Sequence, residues 1–190
     1  MTLLSRNSLL LLIDLQKAID DPRWGDRNNP QAEVNIVQLL AAWRQSQMPV
    51  LHVKHMSTEP DSPYRPGQTG NEFRPATAPL PEEEILEKEV HSAFIRTGLE
   101  AKLRSRGIAE IVITGVVTNN SVEATARMAS DLGFTTLVVA DATFTFGRAD
   151  FDGTWHLAAA VHAMSLANLS GEYATILSTE EILQQLPLLA

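Results

Sequence analysis

Three polar residues stand where apolar runs end. Asp14 follows LLLLI at 9–13, Lys88 lies within EILEKEV at 84–90, and Ser121 closes the turn GVVTNNS after IVIT at 111–114. A carboxylate, an ammonium and a hydroxyl at one place are the parts of an assisted nucleophile. The oxygen attacks a carbonyl, the carboxylate takes its proton, and the cation holds and tunes the carboxylate. Each residue also has a structural reading. Asp after a strand is a turn former, Lys among glutamates is commonly solvated, and Ser at a helix start accepts an amide N–H as an N-cap. Convergence is what separates the two readings. In open α/β sheets, ligands bind beyond the carboxyl ends of the strands, near the switch in strand order, and all three residues would share that rim.

The elements that must position them are legible from periodicity. Residues 9–13, 111–114 and 136–140 are short apolar runs without polar alternation, as expected of parallel strands covered on both faces. Residues 50–53 and 174–177 are weaker versions, and 85–90 weaker still. Between them run helical patterns. Pro30 opens one, with Val34, Val37, Leu40, Ala41 and Arg44 at helical spacing. Thr97 with Glu100 has the form of a capping box before a helix closed by Gly107. Residues 121–132 end at Gly133, residues 154–169 form a longer helix, and Thr179 with Glu180 and Glu181 starts a short last one. This alternation predicts an α/β fold: a Rossmann-like three-layer sandwich around a mostly parallel six-stranded sheet, in a single domain over 1–190. The segment from 56 to 81, with six prolines and two glycines, is too long for a passive connection and is expected to lid a site or make an oligomer contact.

Composition narrows the function classes. A formal charge of −8, from 15 basic and 23 acidic residues, argues against a nucleic-acid partner. EEE at 82–84 is the densest charge run and reads as a solvated helix start. There is no cysteine, which excludes disulfides and thiolate metal sites. The run at 8–13 is too short to span a bilayer and lacks a signal-peptide cleavage pattern, so no membrane partner and a cytoplasmic location are expected. Neither G-x-G-x-x-G nor G-x-x-x-x-G-K-[ST] occurs, which removes the common nucleotide-binding fingerprints.

Taken together, Asp14, Lys88 ahead of Ser92-Ala93-Phe94, GVVTNNSVEATAR, Asp141-Ala142-Thr143 and His162 resemble the isochorismatase-like cysteine hydrolases over residues 9–176. The resemblance implies a catalytic trio of Asp14, Lys88 and the residue at 121, cleavage of a non-peptide C–N bond in a small amide, and no cofactor. It implies a non-proline cis peptide before the nucleophile, expected between Val117 and Thr118, and an oxyanion hole from the N–H groups of Thr118 and Ser121. This chain departs from the pattern in one place: Ser121 occupies the position of the cysteine. A hydroxyl is a far weaker acid than a thiol, so it needs a base placed to take its proton. Three possibilities follow: a serine variant, natural or engineered, of an amide hydrolase; an Asp14-dependent vinyl-ether hydrolase of the isochorismate type; or a silent member serving as a binding or assembly subunit.

Trp24, Tyr64, Phe94, Val117 and Phe146 are the candidate substrate-binding residues, and an apolar wall of this kind fits a small, flat amide. Arg23, Arg65 and Arg74 would serve a substrate carboxylate. His52 and His55 fall on opposite faces of a strand and no Asp-x-His pattern accompanies them, so no metal is expected; His162 is expected to pack. The proline-rich segment and the apolar pattern at 154–169 call for a partner surface, and a homo-oligomer, dimer or tetramer, is expected.

Overall fold

A computed structural model describes residues 4–186. Six strands form one all-parallel sheet in the order β3-β2-β1-β4-β5-β8. They are β1 (Leu9–Ile13), β2 (Val50–His55), β3 (Glu84–Lys88), β4 (Glu110–Val116), β5 (Thr135–Phe144) and β8 (Thr175–Leu177). The central strand β1 is buried along its whole length, which is why its five residues are all Leu or Ile: each face of the sheet is covered by helices. On one face, Leu9, Leu11 and Ile13 pack with Leu99 and Leu103 of α2 (Leu99–Ser105), Ala126 and Ala129 of α3 (Glu123–Asp131) and Leu169 of α4 (Ala158–Leu169). On the other, Leu10 and Leu12 pack with Ile36, Leu39, Leu40 and Trp43 of α1 (Ala32–Gln45) and Ile182 of α5 (Thr179–Leu183). The three-layer α/β expectation holds.

The chain steps outward from β1 to β2 and β3, then returns to pair β4 against the other side of β1. The strand order therefore reverses between β1 and β4, and the crevice for a ligand opens beyond their carboxyl ends. Gly115 makes this seam close. At φ 107° it takes a backbone conformation that favours glycine, and a Cβ there would lie 2.2 Å from the carbonyl oxygen of Ile13.

Several local expectations are corrected. Residues 154–157 are not helical: Trp155–His156 (β7) pairs antiparallel with Arg148–Ala149 (β6), and α4 starts at Ala158. Apolar residues at helical spacing fit this hairpin too, because its outer side faces away from the core. Strand β5 runs on to Phe144 across a register shift between Ile113 and Gly115. Thr97 makes no capping box. Its hydroxyl donates to the Ala93 carbonyl at 2.6 Å, while Glu100 pairs with Arg104. The true box is one residue before the expected start of α5, with Ser178 as N-cap and Glu181 as its partner. The glutamates at 82–84 do not open a helix. Glu84 begins β3, and Glu83 is drawn in by Arg44 and His52.

Candidate active site

Asp14 is the first residue past β1 and sits at φ 54°, a conformation uncommon outside glycine but tolerated by Asp. This turns its side chain back toward the sheet edge. Lys88 is the last residue of β3, and its side chain is fully buried. Its ammonium donates to Asp14 Oδ2 at 2.7 Å and to Ser121 Oγ at 3.3 Å, so those two oxygens are at most about 6 Å apart. The lysine reading as a solvated strand end is therefore corrected. Burial of this cation is balanced by a carboxylate and a second acceptor, as a buried charge requires.

Ser121 does not cap a helix. The backbone leaves β4 at Val116, and residues 118–122 form a wide turn in which Val122 N–H reaches the Val117 carbonyl at 3.3 Å. Helix α3 begins only at Glu123, and no side chain caps it. Single wide turns of this kind recur at functional sites. The non-proline cis peptide joins Val116 to Val117, one residue earlier than expected, because β4 keeps its pairing as far as Val116 and the chain leaves the sheet there.

The turn is braced from α4. Thr118, fully buried, places its hydroxyl 2.8 Å from His162 Nδ1, and the Ser165 hydroxyl lies 3.2 Å from the Thr118 carbonyl and 2.7 Å from Glu123 Oε2. His162 Nε2 lies 3.4 Å from Asn29 Nδ2, which donates to the Ala140 and Thr143 carbonyls. Burial holds the His162 ring below its ordinary pKa. This histidine packs, as expected, and also anchors the turn by hydrogen bonding.

A cavity of about 430 Å³ opens over Asp14 and Ser121. Trp24, Tyr64, Val117 and Phe146 line it, with Trp24 and Phe146 at a ring separation of 6.3 Å. Phe94 does not: it packs into the core against Phe134, 5.8 Å between rings, because the segment after β3 turns inward under α3. Residues that the sequence reading did not assign to substrate binding also line the cavity: His55, His91, Asn119, Asn120, Thr145 and Arg148. His55 ends β2 with its ring edge-on to Tyr64 at 5.7 Å, and burial depresses its pKa. Its Nδ1 and Asp14 Oδ1 are both buried without a hydrogen-bond partner among the described residues, and buried polar atoms left so are costly unless a ligand or water meets them.

The long segment after β2 walls this cavity through Ser62 and Tyr64. Two buried amides, Gln16 and Asn71, hold it there. Gln16 accepts from His55 N–H at 2.7 Å and donates to the carbonyls of His55 and Asn71; Asn71 donates to those of His55 and Tyr64. The three arginines assigned to a substrate carboxylate are occupied elsewhere. Arg74 is bound by Glu33 and Asp20, Arg23 by Asp21 and the Asp61 carbonyl, and Arg65 by the Pro60 carbonyl. His52 turns away from His55 to meet Glu83 at 2.9 Å. No group of three or more metal-type side chains comes together among the described residues.

The isochorismatase domain matches residues 8–181. The uncharacterised isochorismatase family protein YrdC of Bacillus subtilis is 42% identical over 174 residues, covering 92% of this chain and 93% of its own. The crystal structure of a hydrolase of the isochorismatase family from Chromobacterium violaceum superposes with a TM-score of 0.96 at 51% identity, over 98% of this chain and 97% of that one. A shorter stretch, 70 residues at 40% identity, matches the ureidoacrylate amidohydrolase of Stutzerimonas stutzeri, over 37% of this chain and 28% of that protein.

Proposed function

The chain belongs to the isochorismatase family of hydrolases, and from that premise we propose that it hydrolyses the C–N bond of a small amide at Ser121. One observation carries the reading: a buried ammonium touches both Asp14 and Ser121 on the floor of a cavity. The name of the ureidoacrylate amidohydrolase supports the choice of an amide.

In this reading Ser121 Oγ adds to the amide carbonyl as its proton passes to Asp14, the base nearest the site. Lys88 keeps the carboxylate in place and favours the attacking oxygen as charge builds on it. The carbonyl oxygen, now an oxyanion, is received by the N–H groups of Thr118 and Ser121. Asp14 returns the proton to the departing nitrogen as the C–N bond breaks, leaving an ester on Ser121. A water molecule, deprotonated by Asp14, then cleaves the ester, releases the acid and restores the hydroxyl.

The trio lies within reach of a thiolate's needs, since Lys88 would lower a thiol's pKa. The test is therefore Ser121→Cys. The Cys form is expected to be alkylated by iodoacetamide faster than an ordinary thiol. It is also expected to hydrolyse at least one small amide at least ~10-fold faster than the Ser form, about 1.4 kcal/mol in barrier. A Cys form that resists alkylation at pH 8 and is inert across an amide panel overturns the reading. The missing thiol favours one rival, vinyl-ether cleavage by Asp14 as acid, and activity of that kind surviving Ser121→Ala would establish it.

A further inference from the structure

We infer that His162 is a positioning residue for the proposed reaction: its bare Nδ1 takes the Thr118 hydroxyl hydrogen and so holds the peptide whose N–H meets the oxyanion. The catalytic half rests on the function proposed above; the direction of the hydrogen bond rests on geometry alone.

The direction follows from counting hydrogens. Asn29 Nδ2 carries two, and both go to carbonyls, that of Ala140 at 2.9 Å and that of Thr143 at 2.7 Å. None is left for His162 Nε2, 3.4 Å away, so Asn29 does not donate to the ring. The Ala140 carbonyl also acts on this ring and favours a proton on it. That proton belongs on Nε2, the nitrogen beside the Asn29 amide that binds the same carbonyl. Burial keeps the ring neutral by lowering its pKa, and a neutral imidazole has one N–H only. Nδ1 is then an acceptor, and the Thr118 hydroxyl 2.8 Å away donates to it.

Thr118 opens the wide turn, three residues before Ser121, and is wholly buried. A second hydroxyl on α4, that of Ser165, lies 3.2 Å from the Thr118 carbonyl and 2.7 Å from Glu123 Oε2. It has one hydrogen, and the nearer, charged oxygen takes it. The Thr118–His162 bond is therefore the one by which α4 grips the start of the turn, and Ala140 ties the ring in turn to β5. A peptide plane that rotates turns its N–H away from the oxyanion, and a hydrogen bond weakens steeply as it bends. The oxyanion needs that donor more than the ground-state carbonyl does, so loss of the grip falls on kcat rather than on KM.

Variants at 162 separate gripping from packing. An Asn side chain can put an acceptor oxygen near the place of Nδ1, whereas Gln reaches toward the place of Nε2. On an amide that the Ser121 protein or its Ser121→Cys form turns over, His162→Leu is expected to lower kcat at least ~10-fold with KM within ~2-fold. His162→Asn is expected to restore most of the rate and His162→Gln not. Thr118→Val removes the donor from the other side; combined with His162→Leu it is expected to lose no more than either change alone. Two readouts need no substrate. Nitrogen NMR of the Ser121 protein is expected to show Nε2 protonated and Nδ1 bare. Hydrogen exchange of the Asn120 and Val122 amides, which close the turn on the Val117 carbonyl, is expected to quicken in His162→Leu and His162→Gln and to return in His162→Asn. A proton on Nδ1, exchange unmoved by His162→Leu, or equal behaviour of the Asn and Gln variants overturns the inference. The two proposals fail separately. Quickened exchange without turnover of any amide by the Ser or the Cys form removes amide hydrolysis and leaves the grip on the turn. Turnover unchanged by His162→Leu removes the positioning role and leaves hydrolysis.

Discussion

Taking an ammonium and a carboxylate out of water costs each its hydration, and Lys88 and Asp14 recover this only through each other and Ser121. Removing one partner is therefore worse than removing both. Lys88→Met is expected to destabilise the fold by about 3–5 kcal/mol, since it strands a buried carboxylate, and Asp14→Leu combined with Lys88→Met to cost less than Lys88→Met alone. Urea unfolding of the two proteins checks this; a cost under about 1 kcal/mol for Lys88→Met would show that water reaches Asp14 and that the pair is not sealed. At this scale the sequence was informative where a residue type was unusual for its place, as with Asp14 after an all-apolar strand. It was silent where meaning depended on a partner far along the chain. Nothing around Gln16 or Asn71 marks them as the clamps of the cavity wall, since each works by reaching carbonyls in a segment about 40 or 15 residues away.

Elements are tied together by a polar chain beneath the sheet edge. Arg44 of α1 forks onto Glu83 just before β3, and Glu83 also meets His52 of β2. Burial works against the Glu83 charge, but Arg44, the Leu80 amide and His52 outweigh it and bring its pKa to about 2. Burial lowers the pKa of His52, and that of His55 and His162. Both kinds of shift have the same sign for stability. As pH falls below ~6.5 the unfolded chain protonates these histidines before the folded one does, and below ~4.5 it protonates Glu83 first. Stability is thus expected to decline in two stages, from ~6.5 and again between ~4.5 and ~2, with Glu83→Gln making the second stage smaller. Thermal unfolding across that range checks it, and a melting temperature constant from pH 7 to 4 would contradict it. The parallel strands and most helices were readable because burial on both faces enforces continuous apolar runs. The hairpin of β6 and β7 was not, because each strand has only two residues and Trp155 stands at helical spacing from Ala158 and Ala159.

On the scale of the whole molecule, the most exposed of the large apolar side chains are concentrated in one region. Phe151 is 100% exposed, Leu157 72%, Trp155 65% and Met164 64%, all on the hairpin and the outer side of α4. Exposed clusters of this kind mark interaction surfaces, and we propose that a second copy covers this one in a symmetric homo-oligomer with an interface above ~1,000 Å². The proline-rich segment is used differently, as the wall of the chain's own cavity. Light scattering is expected to give a multiple of the monomer mass and Phe151→Asp to lower it; a monomer at micromolar concentration would refute the assembly. No helix among the described residues is long and apolar enough to cross a membrane. The sheet itself divides at the β1–β4 seam. β3, β2 and β1 deliver Lys88, His55 and Asp14, while the strands beyond the seam lead into Ser121 and Arg148. In the proposed reaction, proton handling is thus built on one half of the frame and attack on the other, and their alignment depends on a joint with no side chain in it. Gly115 against Ile13 is backbone on backbone, a contact with no rotamer to relax, so the joint behaves as a machined shoulder rather than a sprung one. The spacing between Asp14 and Ser121 is therefore set by main chain alone at the seam.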